Sequence, residues 1–169
     1  MQENFNVNLH CSRRGNLIYN GGFEEGLEGW KVNEGVDRVY APEEPSHQGL
    51  AAARLGFSSP YAWLYQDVRK VCAGYYYQLN CYLISGSSLG NAPLWITLRY
   101  LDRRKNDLGL AIDVMVEQFT LSDHGYTSFL NISSIPAPPG ARYARIGFEI
   151  DTSDSGGHAD LDDVSLVAL

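Results

Sequence analysis

From Asn16 onward, apolar residues recur at every second position in short runs, and no run sustains a 3.6-residue period. Period two is the signature of a strand with one buried face, so the chain reads as all-β. Without helical segments there are no crossovers from which to build a βαβ fold. The expected strands are Leu17–Tyr19, Ala51–Leu55, Ala62–Val68, Tyr75–Ile84, Leu94–Tyr100, Ala111–Val116, Thr127–Ile132, Ala144–Ile150 and Asp160–Val167. Turn residues punctuate them at Gly21-Gly22, Ser58-Ser59-Pro60, Gly86-Ser87-Ser88, Pro136 to Gly140 and Ser153 to Gly157. Many short strands with turn-rich joints predict a two-sheet antiparallel β-sandwich or jelly roll. The 169 residues fit one domain, taken as residues 16–169 behind a flexible N-terminal extension of residues 1–15.

Alternation assigns faces. Tyr77, Leu79, Cys81 and Leu83 form one apolar side, Leu94, Ile96, Leu98 and Tyr100 another, and Ala144, Ile146, Phe148 and Ile150 a third. Outward are Tyr76, Gln78, Asn80 and Tyr82; Trp95, Thr97 and Arg99; and Arg145 and Glu149. Eleven Tyr, six Phe and three Trp against two Met make aromatic surfaces plentiful. Flat rings beside amides, guanidinium and carboxylate suit sugars: a ring stacks on the apolar face of a pyranose while planar polar groups bond its hydroxyls. Whether these three strands are neighbours is not legible in the sequence. Trp63 and Tyr65 are secondary ligand candidates, with contact to a loop or partner as the alternative. Trp30 is expected in the core.

The net charge is −7, and Arg13-Arg14 and Arg103-Arg104-Lys105 are short. Nucleic acid and anionic membranes need larger basic patches, so neither is an expected partner. No apolar run is long enough for a membrane-spanning helix, and residues 1–15 lack the pattern of a signal peptide.

Two acidic positions at opposite ends of the chain stand beside strand-like segments: Glu24 in Asn20-Gly21-Gly22-Phe23-Glu24 and Asp162 in Leu161-Asp162-Asp163-Val164. If the end segments are neighbours, the two carboxylates meet in an oxygen-rich site suited to calcium, with carbonyls such as that of Gly49 completing the set. The alternative is that Glu24 caps a turn and Asp162 bonds nearby amides.

Other patterns are weaker. Asp151, Ser153, Ser155, Gly156 and Asp162 match the spacing of an EF-hand loop, but no helix flanks them. Gly86-Ser87-Ser88-Leu89-Gly90 matches G-x-S-x-G, yet a strand follows where a nucleophile elbow needs a helix. Ser88 is therefore read as a loop residue, although His124 and His158 could serve as bases. Asn131-Ile132-Ser133 is a formal glycosylation sequon. Cys11, Cys72 and Cys81 are read as neither a disulfide framework nor a zinc site, and His10-Cys11 as a loose segment.

The ordered run Asn16-Leu17-Ile18-Tyr19-Asn20-Gly21-Gly22-Phe23-Glu24, Gly29-Trp30, Ser46-His47-Gln48-Gly49-Leu50-Ala51-Ala52, Leu64-Tyr65-Gln66-Asp67-Val68, Ala73-Gly74, Tyr77 and Leu161 to Leu166 resembles the jelly-roll carbohydrate-binding modules of families four, nine and twenty-two. Residues 96–102 and 135–141 resemble a Firmicute domain that precedes collagen-like repeats. The resemblance implies a galactose-binding-like sandwich with a structural calcium. Glu24 and Asp162 fall on the acidic positions of the motifs, and Gly49 on the turn that lends a carbonyl. Sugar-binding residues do not transfer, since they vary among such modules.

The expectation is a non-enzymatic carbohydrate-binding module with structural calcium at Glu24, Gly49 and Asp162. The ligand face would comprise Tyr76, Gln78, Asn80, Tyr82, Trp95, Arg99, Arg145 and Glu149. The alternative is an oligomerising structural or adhesive domain of a cell or spore surface. The expected location is extracellular or at the cell or spore surface.

Overall fold

The computed structural model describes residues 15–154 and 156–169. Ten strands follow one another: β1 (Lys31–Val32), β2 (Val36–Tyr40), β3 (Ala51–Leu55), β4 (Tyr61–Arg69), β5 (Tyr77–Ser85), β6 (Leu94–Leu101), β7 (Asp107–Val116), β8 (Thr127–Ile132), β9 (Tyr143–Asp151) and β10 (Ala159–Ala168). They form two five-stranded sheets: a front sheet in the order β1-β4-β9-β6-β7 and a back sheet in the order β2-β3-β10-β5-β8. Every pairing between these strands is antiparallel. The molecule is the all-β sandwich that the alternation predicts.

The inward residues of β5, β6 and β9 are those read from the sequence, and they are buried. Phe23, Trp30 and Phe148 add an aromatic chain to the core, with ring centroids 5.5 Å and 6.3 Å apart. Trp30 donates its indole N–H to the Asn20 carbonyl at 3.0 Å, so the one polar atom of that ring is satisfied.

β1 and β2, both edge strands, escape the sequence reading; β1 is only two residues long, too short for a periodic signal. The expected strand at Leu17–Tyr19 is instead an extended segment beside β10. Leu17 donates to the Leu166 carbonyl at 2.8 Å, and Val164 donates to the Gly21 carbonyl at 3.0 Å. A Cβ on Gly21 would lie 2.0 Å from the Val164 carbonyl oxygen, so only glycine permits this approach. The N-terminal segment and the last strand are therefore adjacent. Between Asp162 and Ser165 the register with β5 shifts, and Asp163 has a φ of 46°. This bulge re-aims the strand, so that Leu161 and Val164 both face the core.

Cys81 is buried and free, as a small hydrophobe would be. Cys72 is disulfide-bonded, which corrects the reading that the cysteines form no disulfide. Its outcome depends on spatial proximity, which spacing along the chain does not reveal. The His10-Cys11 pair and the extension, apart from Gly15, lie outside the described residues, as does Ser155.

Candidate functional site

The front sheet presents its outer face to solvent, and the strand register fixes what stands there. Across the sheet, Trp63 on β4 faces Glu149 on β9, which faces Trp95 on β6, which faces Met115 on β7. In the next row Tyr65, Gly147, Thr97 and Asp113 line up in the same order, and in the row after it Asp67, Arg145 and Arg99. Gly147 leaves the middle of this surface low. A Cβ there would come within 3.0 Å of the Thr97 hydroxyl oxygen.

The Trp63 and Tyr65 rings stack with centroids 5.7 Å apart and planes 20° apart. The result is a cleft of about 360 Å³ with a polar and glycine floor between β4 aromatics and Trp95. Tyr61 closes one end; burial, then its bond to the Glu149 carboxylate, holds the phenol above its usual pKa. Arg145 closes the other, its guanidinium carbon 4.1 Å above the Tyr65 ring. Its Nε and Nη2 donate to the two Asp67 carboxylate oxygens at 2.7 Å and 3.0 Å. That bidentate pair fixes the guanidinium plane. Arg99 reaches Asp107 at 2.6 Å in an exposed pair, a contact of small energetic weight.

Of the eight ligand residues expected from the sequence, Trp95, Arg99, Arg145 and Glu149 share this face. Gln78, Asn80 and Tyr82 lie on β5, in the back sheet, with Tyr76 just before it. The expected single face is thus two faces, because alternation gives the side of a strand but not its sheet. Tyr82 is also covered: the His47 ring stacks on it with centroids 3.6 Å apart. Asn80 accepts from the Ser128 hydroxyl at 3.1 Å. Trp63 and Tyr65, secondary in the sequence reading, take their place at the front. Tyr61 and Thr97 complete the cleft; period two around Trp63 and Trp95 carries both.

Glu24, Gly49 and Asp162 meet around one loop, residues 46–51. Glu24 Oε1 accepts from the Leu50 and Ala51 amides at 2.8 Å and 3.0 Å. Asp162 Oδ2 accepts from the His47 and Gln48 amides at 2.8 Å and 3.2 Å. The loop turns at Gly49, with a φ of 65°. A Cβ there would sit 2.2 Å from Glu24 Oε1. These bonds are the amide contacts weighed as the alternative to calcium.

The residues also fit a calcium ion in the chemistry of their donors: two carboxylates and a carbonyl, all hard oxygens, on one loop. Asp162 is fully buried, and burial is the main cause that pushes its carboxyl up to about 6, with the neighbouring Asp163 charge adding to it. Among the described residues no three His, Cys, Asp or Glu side chains gather as a metal cage, so carbonyls would have to supply the remaining ligands.

The other motifs resolve simply. Asp151 accepts from the Ser153 amide at 2.9 Å in an ordinary turn, while Asp162 lies on β10 in contact with a different loop. Ser88 is exposed, no helix follows it, and among the described residues it bonds neither His124 nor His158. Asn131 of the sequon turns inward on β8, and its amide nitrogen is buried without a hydrogen-bond partner.

No protein-family model matches the chain, and no curated protein matches it. Solved structures do. TmCBM61 in complex with β-1,4-galactotriose is 23% identical, with a TM-score of 0.64, over 92% of this chain and 99% of that one. This chain shares the β-sandwich fold of that module. A family 16 carbohydrate-binding module and the CBM22-1 xylan-binding domain of Paenibacillus barcinonensis Xyn10C also share it. The enzymatically active domain of bacteriophage CBA120 tailspike protein 4 is 16% identical, with a TM-score of 0.70, over 91% of this chain. This chain spans only 21% of that protein. The Stig cyclase Fisc from Fischerella is 16% identical, with a TM-score of 0.68, over 91% of this chain and 96% of its own. The same sandwich therefore carries binding modules and a cyclase, and function rests on the site.

Proposed function

We propose that the chain is a non-catalytic carbohydrate-binding module whose ligand lies across the outer face of the front sheet. The observation that carries this reading is the row Trp63–Glu149–Trp95 beside the glycine floor at Gly147. Two indoles offer stacking surfaces on either side of a carboxylate that accepts hydroxyl protons. Thr97 and Arg145 add polar contacts at the lower end. Among the described residues Ser88 has no hydrogen-bonded base, and Glu149 is flanked by rings rather than by a second carboxylate placed for acid–base work.

Affinity electrophoresis and calorimetry against β-1,4-galactan, xylan and glucomannan test the reading. At least one should bind, and Trp95→Ala or Trp63→Ala should each weaken binding by about 2 kcal/mol, or roughly 30-fold. Tyr82→Ala, on the opposite sheet, should leave affinity within twofold. No binding to any neutral or charged glycan with calcium present would remove the proposal.

A structural calcium held by Glu24, the Gly49 carbonyl and Asp162 belongs to the same reading. It would neutralise the buried Asp162 charge and tie the N-terminal segment to β10 through the loop of residues 46–51. The disulfide at Cys72 supports an oxidising compartment, and hence an extracellular or surface location.

One observation favours the alternative, a surface domain that self-associates. On the outer face of the back sheet, Leu130 and Ile132 are 57% and 53% exposed, beside Tyr76 and Leu169 at 43% and 55%. Light scattering at increasing concentration should give a dimer or trimer that Leu130→Lys dissolves if this patch is an interface, and a monomer throughout if it is not.

A further inference from the structure

Below the aromatic cleft, on the same face, lies a second cavity of about 420 Å³ with a different character. Lys31 of β1 pairs in register with Tyr65, which puts it at one wall. Arg69 of β4 pairs with Tyr143 of β9 at the far end. Lys105, from the β6–β7 loop, and Arg145 form the third side. Four cations thus surround one carboxylate, Asp67.

Asp67 is already saturated. It takes two bonds from Arg145 and one from Lys105 at 2.7 Å, and it is only 11% exposed. These cations hold its pKa below the usual carboxylate value against the opposing effect of burial, which is the largest single influence. Lys31 and Arg69 are exposed and have no ion-pair partner among the described residues. Asp67 is the one acidic residue among those lining the cavity. A surplus of positive charge in a chain of net −7 is local, and it sits at the end of the stacking cleft. Tyr65 and Arg145 line both cavities, so one extended ligand can occupy the two. From Trp63 to Arg69 the strand runs six residues, about 20 Å, which is the reach of an oligosaccharide rather than of one sugar.

We propose that this cavity receives an anionic group of the glycan seated on Trp63 and Trp95, so that the preferred ligand is an acidic polysaccharide carrying uronate or sulfate. The proposal rests on the carbohydrate-binding reading above and specifies its substrate class. Lys31 and Arg69 supply the free charge. Arg145, oriented by Asp67 and by the Tyr65 ring, presents Nη1, which makes no hydrogen bond among the described residues.

The test uses matched probes in calorimetry: polygalacturonate and glucuronoxylan, the same polymers after carboxyl reduction, and a sulfated galactan with its desulfated form. An anionic polymer should bind about tenfold tighter than its neutral counterpart at low ionic strength, and the preference should fade at 1 M salt, where charges are screened beyond about 3 Å. The arm that binds identifies the anion as carboxylate or sulfate. Lys31→Gln with Arg69→Gln should abolish the preference and leave the neutral polymer's affinity unchanged. Equal affinity for charged and neutral members of every pair would overturn the proposal while leaving the cleft as a neutral-sugar site. Absence of binding in every arm would remove the underlying reading and this proposal with it. The salt dependence of the unmodified protein decides the matter even if the variant is poorly folded.

Discussion

Replacing Arg54 with alanine should destabilise the protein by about 3–5 kcal/mol, the usual cost of removing one partner from a buried ion pair. Arg54 is 7% exposed and Asp160 1%. Arg54 Nε and Nη2 each donate to Asp160 at 2.8 Å, while Nη1 and Nη2 donate to Glu44 at 2.9 Å and 2.7 Å. The guanidinium joins β3, β10 and the loop after β2. Its removal leaves the Asp160 carboxylate buried with no counter-charge. Replacing Arg54 and Asp160 together by leucine should cost less than Arg54→Ala, because no charge is then stranded. Urea denaturation measures both; an Arg54→Ala midpoint that places stability within about 1 kcal/mol of the parent would overturn the account. The pair also has a pH signature. The bond from Arg54 is the chief cause that lowers the Glu44 pKa. A lowered carboxyl contributes above its unfolded value of about 4.3 and loses that contribution as pH falls through the folded one. The Arg54–Glu44 part of the stability should therefore be present at pH 7 and disappear in acid.

Arg54 shows where reading the sequence stops. The short, largely apolar run Ala51–Leu55 locates the strand to the residue, yet it does not reveal that the arginine lies under a loop and between two carboxylates. The same limit divides the expected ligand set. The inward residues of β5, β6 and β9 are legible because burial repeats every second position. Sheet membership is not legible, since β5 and β6 are consecutive in sequence but belong to opposite sheets. A hairpin between them would have put Tyr82 beside Trp95; the observed order pairs β5 with β8 and β10 instead. That Glu24 and Asp162 approach one another in the fold is legible because each borders a recognisable end segment, but their shared hold on the amides of residues 47–51 is not. The cationic cavity was not, for Lys31, Arg69 and Lys105 come from three elements with no shared motif, and the two-residue β1 gives no periodic signal at all.

Calcium should raise the melting temperature, and the size of the gain should depend on pH in a defined direction. A ligand bound only to the folded protein at a thousand times its dissociation constant adds about 4 kcal/mol, which for a chain of this size is roughly 10 °C. In the metal-free protein, burial pushes the Asp162 carboxyl up to about 6, above the value of about 3.9 in an unfolded chain. The folded state then holds this proton more tightly than the unfolded state does. Asp162 should accordingly lower stability as pH rises from about 4 to 6, the reverse of an ordinary paired carboxylate. Calcium requires the ionised form, so its stabilisation should grow across the same interval. The melting curves with and without calcium should converge near pH 4 and separate toward pH 7. Asp162→Asn should keep the acceptor for the His47 and Gln48 amides, flatten the metal-free pH dependence and abolish the calcium gain. Glu24→Ala should abolish the gain but leave the Asp162 titration in place. Superimposable melts in calcium and in chelator at pH 7, with the parent protein folded in both, would exclude the ion and leave Glu24 and Asp162 as caps on the loop of residues 46–51.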